Sequence, residues 1–304
     1  MRSKKYKRIG AGLGLLLFAW VLMAQSCMKF RISDADAIKQ FSAQGVTLHI
    51  HNLSVNHRIL HYVETGNDSL PTIVFVHGSP GSWDAFAQYL RDKDLLSKYR
   101  MVSIDRPGFG YSNFGEALPM GEQSAIISPL FQVLQNHRAV YLVGHSLGGP
   151  LVVQLAVDNP GLISGLVILA GSLDISLEEP ERWRTLLMNN PLQYLVPGAM
   201  RPSNQELWYL KKDLRLLRPR FALVTCPVWV VHGDKDQLVP YGNMHFAVKA
   251  FTHAASVDTL TLTGANHFIP WTHYKQVKSV LMELDNDRHN GKKPNFDVAK
   301  GSTL

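Results

Sequence analysis

Ser146 stands in the segment GHSLGG, residues 144–149, between two apolar runs. Gly144 comes two residues before this serine and Gly148 two residues after it. A strand that bends sharply into a helix leaves no room for side chains beside the bend, so this spacing predicts a tight turn with an exposed serine hydroxyl. Such a hydroxyl becomes a nucleophile when a base removes its proton and a carboxylate orients the base. A glycine-rich turn without chemistry is the alternative that this segment alone leaves open.

Short apolar runs elsewhere in the chain predict the strands that must position this turn. Two runs that alternate apolar with polar residues predict antiparallel strands: VTLHIH at 46–51 and ILHYVE at 59–64. Six runs, mostly of β-branched residues, predict strands buried on both faces: TIVFV at 72–76, MVSI at 101–104, VYLV at 140–143, LVILA at 166–170, VWVV at 228–231 and VDTLTL at 257–262. Stretches of helix length, such as 83–99 and 124–135, separate most of them. The pattern predicts an α/β fold with a mostly parallel eight-stranded sheet and helices on both faces.

Polar motifs begin where five of these strands end. They are HGSPGS at 77–82, DRPGFGYS at 105–112, GHSLGG at 144–149, HGDKDQLVP at 232–240 and TGANHF at 263–268. Side chains that carry chemistry in an open parallel sheet gather at the carboxyl ends of its strands. Five motifs in this order resemble those of the α/β-hydrolase fold family, and the resemblance extends over about residues 46–284.

The resemblance implies a role for three side chains. In that family the nucleophile, the acid and the base follow one another along the chain. Ser146 corresponds to the nucleophile, Asp236 to the orienting acid and His267 to the general base. Asp234, two residues away, and Asp174, after the sixth strand, are the alternative acids.

The resemblance also implies two backbone donors for the oxyanion of a tetrahedral intermediate. Leu147, directly after the nucleophile, corresponds to one donor, and Ser79, in the loop after the third strand, corresponds to the other. The motifs include neither a metal-ligand cluster nor a phosphate-binding glycine loop. We therefore expect no metal and no cofactor.

The serine at the elbow narrows the expected reaction. Epoxide hydrolases and haloalkane dehalogenases of this fold carry Asp at that position, whereas this chain carries Ser146. The resemblance implies a carboxylesterase-like serine hydrolase that cleaves a carboxylic ester of a small-molecule acyl substrate through an acyl-enzyme intermediate. Lactones, thioesters, carbon–carbon bonds and membrane lipids are alternative substrates for the same residues. A non-catalytic binding protein on a hydrolase scaffold is the alternative from a different functional class.

The connection between the sixth and seventh strands is too long for a single crossover helix. Its helix-like stretches at 177–190 and 203–217 predict a short helical cap over a pocket. The polar, aperiodic end of the chain is predicted to be disordered. The predicted organisation is a first core part at 46–171, the cap at 172–224, a second core part at 225–286 and the tail at 287–304.

The first 26 residues resemble an export signal. The basic stretch MRSKKYKR precedes the uncharged run IGAGLGLLLFAWVLMAQSC. The end of this run, MAQSC, resembles the lipobox of bacterial lipoproteins, in which cleavage makes the cysteine, here Cys27, the lipid-bearing first residue. A tether at 27–45 would then lead to the core. A retained apolar anchor and an ordinary signal cut elsewhere are the alternatives, and all three place the domain in the cell envelope, outside the cytoplasm.

The net charge of +7 belongs largely to this leading segment. Five of the 31 Lys and Arg residues lie within the first eight positions, and the other 26 nearly balance the 24 acidic residues. The remainder of the chain therefore lacks the basic excess of a nucleic-acid-binding protein, and we expect no nucleic-acid partner. The sequence contains no indication of an oligomeric state.

Overall fold

A computed structural model describes residues 2–179, 181–188 and 191–285. The tail predicted at 287–304 lies outside these residues. The strands are β1 (His49–Val55), β2 (Arg58–Thr65), β3 (Thr72–Val76), β4 (Arg100–Ile104), β5 (Val140–His145), β6 (Gly165–Leu169), β7 (Val228–Gly233) and β8 (Val257–Leu262). They form one sheet in the order β1-β2-β4-β3-β5-β6-β7-β8. Strand β2 is antiparallel to β1 and β4, and all other neighbours are parallel, which confirms the predicted fold class.

Helices connect these strands. The α-helices are α1 (Arg2–Ser26), α2 (Asp34–Ser42), α3 (Ala87–Leu90), α4 (Lys93–Leu96), α5 (Met120–Ile127), α6 (Pro129–Val133), α7 (Gly148–Asp158), α8 (Met200–Leu217), α9 (Gly242–Ala250), α10 (Ile269–Thr272) and α11 (Tyr274–Glu283). The predicted helical stretch 83–99 is divided into a 3₁₀ helix, Trp83–Phe86, followed by α3 and α4. The stretch 124–135 is divided at Pro129, where α6 begins. A proline lacks the N–H group that would continue the preceding helix.

Both faces of the central sheet are buried, as the β-branched runs predict. Along β3, Val74 and Val76 belong to the core on one face, whereas Ile73 and Phe75 belong to the core on the other. Successive strand residues point to opposite faces, so a strand covered on both sides needs apolar residues throughout. This burial holds the carboxyl ends of the parallel strands β3, β5, β6 and β7 at one edge of the sheet.

The first strand begins later than its sequence pattern indicates. The run at 46–51 predicts a strand from Val46, but β1 begins at His49, where His49 pairs with Glu64 of β2. Val46 and Leu48 are buried in the core beside Phe41 of α2, and the Val46 N–H donates to the Phe41 carbonyl oxygen at 3.1 Å. The apolar alternation of this stretch thus reflects packing under α2 in addition to strand pairing.

The segment between β6 and β7 contains one long helix in its second half. Helix α8 buries Leu210, Leu214 and Leu217, which share one helix face. The first half was predicted as helical at 177–190, but its described residues form the short 3₁₀ helices Ile175–Leu177 and Arg182–Leu187. Leu186 there is 65% exposed. Helices in proteins are stabilised mainly by a buried apolar face, and the two 3₁₀ helices described here bury none of their side chains fully.

Helix α1 lies at the beginning of the chain, and its last turns contact the segment before α8. Among the described residues it is the helix that is long and apolar enough, by length and composition alone, to cross a membrane, over Arg8–Ser26. Its apolar side chains are largely exposed, with Leu15 and Leu16 each 69% exposed.

Helix α7 begins directly against the end of β3. A Cβ atom added at Gly148 would come within 3.0 Å of the carbonyl oxygens of both Val76 and His77, closer than real Cβ atoms approach. Both obstacles are backbone atoms, which cannot rotate away. The contact between α7 and β3 therefore requires glycine at this position.

We expect Gly148→Ala to lower the free energy of unfolding by about 1–3 kcal/mol or more, because the added methyl group overpacks a backbone contact. Gly121→Ala is the matched control, since a Cβ at Gly121 in α5 meets nothing within 4 Å. Alanine there is expected to be neutral or stabilising by up to about 1 kcal/mol, because it favours the helix. Thermal unfolding of the full chain measures both, and equal melting temperatures for the two variants would contradict the close contact.

Candidate active site

Ser146 lies at the bend between β5 and α7 with a backbone φ of +55°. This left-handed conformation is uncommon for residues other than glycine and costs of order 1–3 kcal/mol when the surroundings impose it. A Cβ added at Gly144 would come within 3.0 Å of the Gly148 carbonyl oxygen. The prediction that Gly144 and Gly148 leave no space for side chains beside a tight turn is confirmed. The bend leaves Ser146 partly exposed on the wall of a cavity.

His267 and Asp236 form a buried hydrogen-bonded pair near this bend. His267 Nδ1 donates to Asp236 Oδ2 at 2.7 Å. Asp236 Oδ1 accepts from the N–H groups of Leu238 and Val239 at 2.9 and 2.8 Å. The carboxylate is thus fixed by its own loop, and it fixes the tautomer and orientation of the imidazole ring.

Asp236 remains ionised although it is buried. Burial alone would raise its pKa, but hydrogen bonds from His232, His267 and the Val239 N–H outweigh that effect and lower the pKa below its usual range. The Nε2–H group of His232 is shared: it donates to the Val239 carbonyl oxygen at 3.0 Å and lies 3.4 Å from Asp236 Oδ2. A permanently negative carboxylate stabilises a positive charge on His267.

The other two candidate acids are engaged elsewhere. Asp234 Oδ1 accepts from the Gly264 N–H at 2.7 Å, and Asp174 Oδ1 accepts from the Ser176 N–H at 2.9 Å. Within the described part of the chain, Asp236 is the carboxylate that contacts His267.

Ser146 and His267 line the same cavity, which has a volume of about 1550 Å³ and extends under α8. No hydrogen bond joins the Ser146 hydroxyl to His267 among the described residues. Hydrogen bonds between catalytic groups are commonly long without substrate and tighten in the reacting complex. The arrangement therefore brings the serine, the imidazole and the carboxylate to one site, with a hydrogen bond between the imidazole and the carboxylate but none from the serine to the imidazole among the described residues.

The loop after β3 packs directly on the bend at Ser146. A Cβ atom at Gly78 would lie 2.9 Å from Ser146 Cβ. The Gly78 carbonyl oxygen accepts from His77 Nδ1 at 2.7 Å and from Arg106 Nη2 at 2.9 Å. Because a trans peptide unit is planar, this anchoring directs the Ser79 N–H to the opposite side.

Ser79 and Leu147 are both on the cavity wall. Among the described residues, neither N–H group donates to a protein acceptor. Two N–H groups without a protein partner beside one serine have the chemistry to bind a negatively charged oxygen.

The comparisons with known proteins agree with this architecture. The family model described as alpha/beta hydrolase fold matches residues 71–194. The uncharacterized hydrolase YugF of Bacillus subtilis is 30% identical over 270 residues, which cover 77% of this chain and 92% of that protein. The chain belongs to the α/β-hydrolase fold family.

Other relatives of this α/β hydrolase share shorter segments with it. Epoxide hydrolase 1 of Caenorhabditis elegans is 32% identical over 111 residues, 36% of this chain, and epoxide hydrolase 4 of Mus musculus is 26% identical over 227 residues, 73% of this chain. The matches span 27% and 57% of the lengths of those two proteins. Among solved structures, a membrane phospholipase A gives a TM-score of 0.58 at 19% identity and covers 93% of this chain and 99% of its own. That similarity shows a shared fold.

A buried ion pair connects the helical segment of this α/β hydrolase to the loop of Ser79. Arg106 is fully buried, and its Nη1 and Nη2 atoms each donate to a carboxylate oxygen of Glu206 in α8 at 2.8 Å. The same guanidinium donates to Gln123 and to the Gly78 carbonyl oxygen. Arg106 thus holds α8 and the peptide unit of Ser79 in one network, which the sequence motifs do not reveal.

His145 is a second residue whose part in the site the sequence motifs do not reveal. Its ring lies 4.8 Å from that of His267, and its Nε2 donates to the His267 carbonyl oxygen at 3.1 Å. Burial, with the neighbouring His267, lowers the pKa of His145 to about 3, so the ring is neutral. It supports the loop of His267 without competing for the proton.

We expect Glu206→Gln to lower the free energy of unfolding by about 3 kcal/mol or more, because it leaves a buried guanidinium without its counter-charge. Glu122→Gln on the exposed face of α5 is the matched control and is expected to change stability by less than about 0.5 kcal/mol. Chemical denaturation of the full chain measures both. If the Glu206 variant were as stable as the Glu122 variant, the buried ion pair between Arg106 and Glu206 would not contribute to stability as described.

The lowered pKa of Asp236 predicts a pH-dependent contribution to stability. An unfolded Asp has a pKa of about 3.9, so the native carboxylate stabilises the fold above that pH, and this stability is lost as the pH falls through and below it. The difference in unfolding free energy between wild type and Asp236→Asn should therefore be full at about pH 6 and shrink below about pH 4. Asp234→Asn is the control for removal of a carboxylate from the same loop. If the difference in unfolding free energy between wild type and Asp236→Asn stayed constant with pH, the lowered pKa of Asp236 would be refuted.

Proposed function

We propose that this protein is a serine hydrolase that cleaves a carboxylic ester, with Ser146 as nucleophile, His267 as general base and Asp236 as the orienting acid. The observation that carries the proposal is the strained bend that holds Ser146 in one cavity with His267, whose Nδ1 lies 2.7 Å from Asp236. The two N–H groups of Ser79 and Leu147 support the same reaction.

The geometry supports a two-step reaction. The Ser146 oxygen attacks the ester carbonyl carbon while His267 Nε2 accepts the hydroxyl proton, and the N–H groups of Ser79 and Leu147 stabilise the oxyanion. The alcohol leaves with the proton from His267, and an acyl group remains on Ser146. Water then attacks the acyl carbon with His267 again as base, which releases the carboxylic acid and restores the serine.

The serine favours esters over the epoxides named for several relatives. An aspartate that opens an epoxide forms an ester, which water can hydrolyse. A serine that opened an epoxide would form an ether, which the same site could not hydrolyse. Ser146 at the elbow therefore supports acyl transfer, and we expect no turnover of styrene oxide.

We expect a fluorophosphonate probe to label Ser146 in the full chain, because an activated serine oxygen attacks phosphorus as it attacks a carbonyl carbon. Ser146→Ala should abolish labelling, and His267→Ala should reduce hydrolysis of a soluble ester by about 10³-fold or more. Ser172→Ala is the matched control, since Ser172 also lines the cavity. Mass spectrometry identifies the labelled peptide. A folded wild type that is neither labelled nor active would favour a non-catalytic binding protein.

We further propose that the protein is held at a membrane of the cell envelope near Cys27. This residue is exposed and directly follows α1, where an acyl group would be accessible. In the alternative form α1 itself is retained as the anchor, which is supported by hydrogen bonds from Trp20 and Gln25 to the segment before α8. The intact mass of the protein isolated from membranes distinguishes a chain that begins at an acylated Cys27 from one that keeps α1.

A further inference from the structure

The chain that follows α1 forms part of the cavity wall. Phe30, Arg31, Ile32 and Ser33 line the cavity together with Ser146 and His267. This stretch is fixed to the core, since Arg31 Nη1 donates to the Gly110 carbonyl oxygen at 2.7 Å and the Tyr111 hydroxyl donates to the Ile32 carbonyl oxygen at 3.1 Å. The end of the apolar helix and the serine site therefore have a short, rigid connection.

The last turns of α1 are also fastened to the segment that precedes α8. Trp20 Nε1 donates to the Leu195 carbonyl oxygen at 3.1 Å, and the Gly198 N–H donates to the Ala24 carbonyl oxygen at 2.7 Å. With a rise of about 1.5 Å per residue, Trp20 lies about 9 Å before Ser26 along the helix. If α1 crosses a bilayer with Ser26 at the boundary of the hydrocarbon core, Leu195 lies about 9 Å inside that boundary, so the segment beside Leu195 contacts lipid.

The length of α1 matches this placement. Its apolar part, Arg8–Ser26, has 19 residues and is about 28 Å long, close to the roughly 30 Å thickness of a hydrocarbon core. Leu192 and Tyr194, next to Leu195, are exposed apolar side chains. Tyrosine and tryptophan are favoured at the boundary between lipid and water.

An apolar rim surrounds the opening of the cavity. We define this rim as the large apolar side chains that line the cavity and are each at least 37% exposed: Phe30, Trp208, Leu238, Phe268 and Trp271. They come from the stretch after α1, from α8, from the loop after β7, and from the loop after β8 with helix α10 that follows it. Exposed apolar residues that converge from separate segments mark an interaction surface, whereas scattered ones do not.

The interior of the cavity suits a large amphiphile. Its volume of about 1550 Å³ exceeds the roughly 300–1,000 Å³ of pockets for small molecules. Lys212, Arg215 and Glu179 also line it, so polar partners of both charges are available to a head group. The apolar rim suits the acyl chain of a lipid, and these charged side chains suit its head group.

We propose that the ester cleaved at Ser146 belongs to an acyl lipid that enters the cavity across the apolar rim, directly from the bilayer that holds α1. This inference rests on the proposed serine hydrolase and on the form of the protein that keeps α1, and it names the substrate class. The reaction is the one given above, with an acyl chain transferred to Ser146, the rest of the lipid leaving as the alcohol, and water releasing the fatty acid.

The test uses the full chain reconstituted in phosphatidylcholine vesicles. Release of fatty acid from the vesicle lipid and hydrolysis of a water-soluble p-nitrophenyl ester are measured on the same preparation. Phe30→Glu and Trp208→Glu place a charge in the apolar rim. Val133→Glu in α6 and Val248→Glu in α9 are the matched controls, since both valines are 52% exposed and lie outside the cavity lining. Helix α1 keeps every variant in the vesicle, so the lipid rate reports entry of lipid into the cavity.

We expect the wild type to cleave both substrates. The ratio of the lipid rate to the soluble-ester rate should fall about tenfold or more in the rim variants, because a charge on the entry surface opposes contact with lipid, and it should stay near the wild-type ratio in the controls. Cleavage of the soluble ester without fatty-acid release, or an unchanged ratio in the rim variants, would overturn the lipid inference and leave the proposed hydrolase intact. Absence of both activities, with no fluorophosphonate label on Ser146, would overturn the proposed function itself.

Discussion

The close approach of helix α7 to the end of strand β3 governs the geometry of the whole site. Gly148 lies against the carbonyl oxygens of Val76 and His77, which leaves no space for a side chain. The chain reaches this position from β5 through the left-handed conformation of Ser146. The cost of that conformation is offset by burial of the sheet on both faces. A looser contact would relieve the strain, but it would also let the serine turn away from the cavity.

Around this fixed point, hydrogen bonds of buried groups hold the other parts of the site. Asp236 is oriented by its own loop and in turn orients His267. Arg106 holds the peptide unit before Ser79 and also binds Glu206 of α8. Helix α8 over the cavity and the loop of Ser79 are thus joined through one guanidinium. A displacement of α8 would also move Arg106 and the peptide unit before Ser79, because a buried ion pair resists separation.

The sequence predicts the central sheet well because strands buried on both faces require continuous apolar runs. The runs at 72–76 and 257–262 coincide with β3 and β8, and each polar motif begins directly after its strand or within the last two residues of it. The positions of β1 and of the helical stretch at 177–190 were wrong in detail, since Val46 is buried by α2 and Leu186 finds no apolar partner face. The local sequence pattern shows which residues are apolar, whereas the tertiary structure determines which element buries each of them.

The parts of the site that depend on long-range contacts were not predictable from one sequence. Arg106 stands in a recognisable motif, but its partner Glu206 is 100 residues away and could be any carboxylate in the chain. The contribution of Phe30 to the cavity wall likewise depends on how the stretch after α1 folds back on the core. The roles of Ser146, Asp236 and His267 came from their order and from the strand ends they follow. Their assignment as catalytic residues remains the proposal to be tested.

A crystal structure of the protein after reaction with a fluorophosphonate tests the central claim most directly. We predict a covalent bond from Ser146 Oγ to phosphorus, with the phosphoryl oxygen about 2.7–3.1 Å from the N–H nitrogens of both Ser79 and Leu147. His267 should remain bonded to Asp236 and face the adduct. An adduct on another residue would contradict the role of Ser146 as nucleophile, and a phosphoryl oxygen directed away from both N–H groups would contradict their role as oxyanion donors.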